Sequence, residues 1–444
     1  MLAIVGAALT SCGGAPKGPL NVVLVSIDTL RADHLGCYGY PRPTSPALDG
    51  LAGAGVQFTN VTAPAPWTLP SHASMLTGLY PHTHGVKNYG TRLDAKTPTI
   101  ASTLAARGYR THAIVNHHFL GPDFGLMQGF AAAEYVSEWS DDDAETRRLV
   151  DRGDVITTKA IDWLARAEAP FFLFVHYFDP HSDYSARPEY VAMFARDYDG
   201  PIDGSTGQLL SIRAEGVRLA GADLEHLTAL YDAEIRQLDD QLARLFRALD
   251  ERGLSDRTLV VITSDHGEEL MEHGSVLHGR TMYQEVIGIP LLVRGPGVPR
   301  GMRVAQNVSL TDLMPTLLEV LAIAAPAGLE GRSVVDYWRR PDPQQPGHLA
   351  FAEADWMNAQ PDAKRMVRHG SHKLHLDRIS DATELYDLAA DPREQKNLGA
   401  QQPDRVRQLR EELDVFSRTE RAPVTIAPPT GDVLDRLRAL GYAQ

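Results

Sequence analysis

Cysteine is nearly missing from this chain. Cys12 and Cys37 are the only two among 444 residues, which excludes a disulfide framework. Long apolar runs are missing too, and Met1 to Leu9 is too short to cross a bilayer. Positive charge is in deficit, with 43 Lys and Arg against 57 Asp and Glu and a formal net charge of -14. Such a chain repels a phosphate backbone, so nucleic acid is excluded as a partner, and an anionic substrate is attracted only locally. There is no internal repeat, heptad array or glycine-rich nucleotide loop.

What is present is enough for a large core. At 43% hydrophobic and 23% charged, the chain suggests one large α/β domain over residues 21–340 and a smaller α+β subdomain over 341–444, divided where the sequence turns Pro- and Gln-rich. Short apolar runs alternate with amphipathic stretches, the pattern of a mostly parallel sheet flanked by helices. Strands are expected at Asn21 to Ile27, Val56 to Val61, Tyr109 to Val115, Phe171 to Val175, Leu259 to Thr263 and Gly288 to Val293. A long helix over Ala222 to Arg252 should cover the sheet, with Glu234 and Asp239 facing solvent. Residues 185–219 read as an insertion over the site.

Ahead of this domain, Leu9-Thr10-Ser11-Cys12 resembles a bacterial lipobox. It implies a signal peptide over 1–12, a tether over 13–20, and a lipid-anchored protein of the bacterial cell envelope.

The segment Ala65-Pro66-Trp67-Thr68-Leu69-Pro70-Ser71-His72 through Gly78 carries the chemistry. Pro70 suits the first turn of a helix and Gly78 its exit, so the spacing predicts a helix of about two turns with Thr68 at its mouth. Backbone N–H groups there favour a bound anion. A Thr hydroxyl needs a base or a metal to become a nucleophile. Asp28 follows the first strand and Asp265-His266 follow the Leu259 run, at the strand ends where α/β proteins bind ligands.

Five pieces, Asn21 to Tyr40, Thr68 to Gly85, Ser264 to Gly267, Pro290 to Gly297 and Glu384 to Leu398, together resemble the sulfatase family of the alkaline phosphatase superfamily. The departures are informative. Sulfatases carry Cys or Ser in C/S-x-P-x-R and oxidise it to formylglycine; the aligned residues here are Thr68, Pro70 and His72, so no formylglycine is expected. Cys37 lacks the x-Pro-x-Arg context and reads as a packed thiol. The family's second acidic residue is Thr29, and its Lys and His after the third strand fall near Asn116 and His118.

The set Asp28, Thr68, Asp265 and His266 resembles the metal site of superfamily phosphodiesterases and phosphoethanolamine transferases, where Thr is the nucleophile. Mixed carboxylate and imidazole donors suit zinc or manganese better than calcium. The resemblance further implies that His72, His181 and His278 hold the oxygens of the ester, with Asp179 and His181 candidates for a second metal. His176 fits the core equally well, His273 and Arg280 fit either a site or a surface, and His82 and His84 fit loop hydrogen bonds. Asp141-Asp142-Asp143 reads as a solvated loop. The leading expectation is a metal-dependent hydrolase cleaving phosphate esters, small or linked to glycan or lipid, through Thr68. The alternatives are a sulfatase acting on sulfate esters, a phosphoethanolamine-type transferase, and a noncatalytic surface-binding lipoprotein.

Overall fold

The computed structural model describes residues 18–137, 152–356, 360–418, 420–427 and 430–439. The lipobox with its tether up to residue 17, and the Asp141-Asp142-Asp143 loop, lie outside these residues.

In chain order the large sheet is built from β1 (Asn21–Ile27), β2 (Val56–Thr62), β3 (Arg110–Val115), β4 (Ala132–Tyr135), β5 (Phe171–Tyr177), β6 (Thr258–Ser264), β7 (Gly288–Arg294), β8 (Met302–Val304) and β9 (Val308–Ser309). Their spatial order is β8-β2-β7-β6-β1-β5-β3-β4, with β9 also on β2. β1 lies parallel between β6 and β5. Only β7 runs antiparallel, to both β2 and β6. The helices needed below are α1 (Pro46–Gly53), α2 (Thr68–Thr77), α3 (Ile100–Ala105), α4 (Gly153–Leu164), α5 (Pro188–Phe194), α6 (Thr206–Glu215), α7 (Gly221–Glu251), α8 (Leu313–Val320) and α9 (Pro403–Phe416).

The sheet is buried on both faces, which is why its central strands read as unbroken apolar runs. Side chains alternate between two cores. Val22, Leu24, Phe172, Phe174, Leu259 and Val261 pack with α2, α3 and α8. Val23, Val25, Leu173, Val175, Val260 and Ile262 pack with α1, α4 and α7. Ser26 and His176, paired across β1 and β5, have the parity of the first group and so face α2.

α2 begins and ends where Pro70 and Gly78 place it, with Gly78 left-handed at φ 68°. α7 is as long as its apolar period suggests, but Glu234 and Asp239 are not solvent-facing: both are buried. Asp239 accepts the amides of Ala47 and Leu48 at 2.7 and 3.0 Å, so it caps α1 from another helix. Glu234 accepts the amide of Ser185 at 2.5 Å and anchors the insertion. That insertion holds α5 and α6.

C-terminally, β10 (Ala350–Trp356), β11 (Gln360–His369), β12 (His372–Asp377) and β13 (Thr383–Asp387) form an antiparallel sheet. α9 packs on it through Leu409 and Leu413. Ala352, Ala354 and Met366 join the large core instead, so the two parts share apolar packing. Beneath it, Lys373 Nζ meets Glu394 Oε2 at 3.0 Å with both side chains fully buried. Burial alone would raise the Glu394 carboxyl, yet Lys373 and His375 hold it down at about 2. The unfolded state therefore binds the extra proton below about 4.5. This pair's contribution is complete above that pH and is lost as pH falls towards 2. Glu394→Ala strands a buried ammonium and should cost about 3 kcal/mol or more; urea midpoints at pH 6 read the loss, and the gap to wild type should narrow at pH 3.

Candidate active site

Three strand ends converge. Asp28 follows β1, Asp265 follows β6, and His176 sits near the end of β5. Ser264 fastens the two acidic ends, donating to Ile27 O at 2.7 Å and accepting the Leu30 amide at 3.1 Å. Asp28, Asp265 and His266 are fully buried and offer ligand atoms within 4.8 Å of one another. His266 Nε2 lies 3.6 Å from Asp28 Oδ1, 3.4 Å from Asp265 Oδ2 and 3.4 Å from Thr68 Oγ1. Thus the four residues expected to hold a metal do meet.

Thr68 is the first residue of α2. Trp67 before it is extended, and its own side chain makes no capping hydrogen bond. The positive end of the helix dipole there favours an anion such as phosphate or sulfate. Ser71 Oγ donates to Asp265 O at 2.6 Å and ties the helix to the second acidic strand end.

His72 departs from its expected role. Its Nδ1 donates to Thr68 O at 2.9 Å and its Nε2 accepts from Ser26 Oγ at 3.0 Å. With both nitrogens used by the protein, His72 fixes α2 on β1 and has no donor left for an ester oxygen.

Hydrogen-bond partners sort the other imidazoles by tautomer. His266 Nδ1 donates to Gly267 O at 2.9 Å, His181 Nδ1 to Ser182 O at 2.6 Å and His278 Nδ1 to Glu268 Oε1 at 2.9 Å. In each, Nε2 is the unprotonated nitrogen. His117 is the reverse: its Nδ1 accepts the Phe119 amide at 3.0 Å, so Nε2 carries the proton, 3.8 Å from Asp28 Oδ2. His176 has no hydrogen-bond partner at either ring nitrogen among the described residues, and its Nε2 lies 3.6 Å from Asp28 Oδ2. Burial pushes His117, His176 and His278 well below the ordinary histidine range, and His181 down to about 3, so these rings are neutral at physiological pH. Burial likewise raises Glu268, the partner of His278, to about 7.

His181 and His278 stand together, with ring centroids 5.1 Å apart, and His278 is 4.4 Å from His266. The resemblance points to Asn116 and His118, but His117 is the residue that faces the cluster, and Asn116 bonds Val136 O. Asp179 is buried nearby, but among the described residues the only metal-capable group is Asp28, Asp265 and His266. His273 stacks on Tyr283 at 3.5 Å and bonds Glu285, away from the cluster. His82 and His84 do not bond loop carbonyls: His82 pairs with Glu353, and His84 bonds Ser74 Oγ and the Val86 amide. Cys37 is half-buried, and burial pushes its thiol up to about 12, an inert packed group.

Backbone strain brackets the cluster. Thr29, next to Asp28, has φ 53° and Leu277, next to His278, φ 67°. For branched side chains each costs about 1–3 kcal/mol and persists only where packing imposes it.

The residues fit a divalent cation. Asp265 Oδ2 is buried with no hydrogen-bond partner, beside a second carboxylate and an imidazole whose tautomer leaves its lone pair towards both. A buried carboxylate oxygen in that state requires a compensating charge. One nitrogen and two carboxylates form a mixed donor set.

Comparison with known proteins places this geometry. The family model described as Sulfatase matches residues 20–323, and one described as N-sulphoglucosamine sulphohydrolase, C-terminal, matches 271–419. An uncharacterized sulfatase, YidJ of Escherichia coli K12, is 27% identical over 71% of this chain and 70% of its own. An N-acetylglucosamine-6-O-sulfatase of Bacteroides thetaiotaomicron is 24% identical over 90% of this chain and 86% of its own. A phosphonate monoester hydrolase of Agrobacterium radiobacter shares the fold with a TM-score of 0.75 at 24% identity, over 92% of this chain and 100% of that one. A protein solved with D-glucosamine-2-N,6-O-disulfate does so with a TM-score of 0.75 at 22% identity, over 90% and 98%. With the Sulfatase model spanning more than half of its length and the strand-end cluster inside that span, this chain belongs to the sulfatase family of the alkaline phosphatase superfamily.

Proposed function

We propose that this sulfatase-family hydrolase cleaves phosphate esters, with Thr68 as the nucleophile. The observation that carries the reading is Thr68 Oγ1 at 3.4 Å from His266 Nε2, at the first residue of a helix and beside Asp28 and Asp265. A hydroxyl cannot release sulfate by the hemiacetal collapse open to formylglycine, whereas a phosphoryl group on Thr can be passed to water.

Asp28, Thr68, Asp265 and His266 would hold zinc or manganese. Such a cation lowers the pKa of a nearby hydroxyl and neutralises charge that develops on the phosphoryl oxygens. The positive end of the α2 dipole and the His117 Nε2–H hold nonbridging oxygens. Thr68 Oγ1 attacks phosphorus in line, and the bond from phosphorus to the ester oxygen breaks. The Thr68 proton is lost to solvent as the hydroxyl ionises, and the departing oxygen takes a proton relayed from water through His278 Nε2. Water then attacks phosphorus, releases phosphate and restores the hydroxyl.

The test is turnover of aryl phosphate monoester, aryl phosphate diester and aryl sulfate after loading with zinc, manganese or calcium. Phosphate turnover that needs zinc or manganese supports the proposal; sulfate turnover exceeding it restores the sulfatase reading, which the glycan sulfatases among the relatives favour. His278→Ala should lower kcat by about 10²–10⁴-fold, the range of general acid–base catalysis, with metal content unchanged by elemental analysis. Anchoring through Cys12 is a separate proposal. Cys12→Ser should abolish incorporation of labelled palmitate; equal labelling of both proteins would reject the anchor.

A further inference from the structure

We propose that Glu268 is a positioning residue for the proton step at His278, and that Tyr184, the residue just before the insertion, holds Glu268 to that task. This rests on ester cleavage at Thr68 and adds the side chains that fix which nitrogen of His278 handles the proton.

Three imidazoles of the cluster donate through Nδ1, but not to the same kind of acceptor. His266 and His181 each use the backbone carbonyl of the next residue, at 2.9 and 2.6 Å. His278 uses a side chain ten residues earlier in the chain, Glu268 Oε1, at 2.9 Å. Glu268 Oε2 in turn accepts the Tyr184 hydroxyl at 3.2 Å. With Oε2 turned to Tyr184, Oε1 is left to accept from the imidazole. All three side chains are buried, where a hydrogen bond is stronger than it would be in water.

The backbone of Glu268 is held at both of its polar groups. Its amide donates to Glu285 O at 3.0 Å, and its carbonyl accepts Arg31 Nη1 at 3.0 Å. Tyr184 is seated by its amide on Gly204 O at 3.0 Å and by an edge contact with Tyr231 of α7, ring centroids 5.6 Å apart. Hydrogen bonds thus run from the base of the insertion, through Glu268, to a ring whose centroid is 4.4 Å from that of His266. A carboxylate paired with an imidazole sets tautomer and ring direction without touching substrate. Here it keeps the proton on Nδ1 and reserves Nε2 for the exchange with the departing oxygen. The pairing counts most where that oxygen is basic and cannot leave without a proton.

The experiment compares kcat/KM of the zinc- or manganese-loaded full chain on phenyl phosphate, whose departing oxygen is basic, and on 4-nitrophenyl phosphate, whose phenolate leaves unprotonated. Glu268→Met removes both acceptors at nearly constant volume. It should lower kcat/KM on phenyl phosphate by about 10–100-fold, and on 4-nitrophenyl phosphate by less than about 3-fold. Glu268→Gln keeps a carbonyl acceptor and should recover most of the loss. Tyr184→Phe should show the same selectivity with a loss of about 2–10-fold, and it carries the test if Glu268→Met does not fold. An equal loss on both esters, or none on either, overturns the proposal. Nitrogen-15 shifts of the histidine rings in the metal-free protein read the same claim without turnover, with His278 assigned by the resonances missing from His278→Ala. His278 should be protonated at Nδ1 in the wild type and exchange between tautomers in Glu268→Met; an unchanged tautomer rejects the positioning role. A wild type that hydrolyses neither ester, with the tautomer shift present, keeps that role and rejects only the phosphate ester reading.

Discussion

Thr68→Ala lowers kcat for phosphate esters by about 10⁴-fold or more, a loss of about 5.5 kcal/mol of transition-state stabilisation. Size and direction both follow from the site. Thr68 Oγ1 is 3.4 Å from His266 Nε2 and fully buried, so a methyl group replaces the only atom that would bond to phosphorus. The helix terminus, His117 and three of the four proposed metal ligands, Asp28, Asp265 and His266, remain, so the comparison is made at saturating metal. Affinity for a phosphate ester should therefore survive, with KM changed by less than about 10-fold while kcat collapses, the separation expected when an interaction made only in the transition state is removed. The measurement is steady-state kinetics on metal-loaded protein, with elemental analysis of the same samples. Thr68→Ser should retain part of the activity, because the hydroxyl is kept.

Asp265→Asn separates metal binding from folding. In the wild type, Asp265 Oδ2 is buried beside Asp28 and His266 with no hydrogen bond of its own. Without a cation, two carboxylates there repel and one oxygen remains unsatisfied. Removing a direct ligand should weaken zinc or manganese by more than about 100-fold, since even indirect partners of a ligand contribute 10–100-fold. A cation at about 100 times its Kd stabilises the folded state by about 2.7 kcal/mol. Added zinc should accordingly raise the melting temperature of the wild type and leave that of Asp265→Asn unchanged. The metal-free variant should melt no lower than the metal-free wild type. A metal-free variant that melts well below it would mean that Asp265 serves the fold and not a cation.

The fold was legible because the sheet is buried on both faces. Runs such as Val22-Val23-Leu24-Val25 and Phe171-Phe172-Leu173-Phe174 carry their own assignment, and Asp28 and Asp265 interrupt that apolar character at the strand ends. Glu234 and Asp239 show where the reading fails. An acidic residue on a long amphipathic helix is ordinarily solvated, and nothing local reveals that Asp239 reaches across to cap α1. That partner is about 190 residues away, a relation created only by tertiary packing.

The histidines divide in the same way. His266, adjacent to Asp265 at a strand end, was legible. His176 was ambiguous because parity alone does not say which face carries α2; once Ser26 and His176 are paired, the ring points at His72. His72 misled in the opposite sense. Its alignment with the Arg of the family motif implies substrate contact, but its spacing four residues after Thr68 lets Nδ1 reach Thr68 O one turn back. His117 carries a local signal of its own, the His117-His118 pair before Phe119, whose first imidazole accepts the Phe119 amide and caps the following turn.

The most direct test of the account is to capture the covalent intermediate. Metal-loaded wild type would be mixed with an aryl phosphate ester, quenched in acid within one turnover, digested, and its peptides sequenced by mass spectrometry. The account predicts a phosphoryl group on the peptide spanning Ala65 to Gly78, localised to Thr68, absent from Thr68→Ala and absent without zinc or manganese. Turnover of phosphate esters with that peptide unmodified, or undiminished in Thr68→Ala, would contradict it.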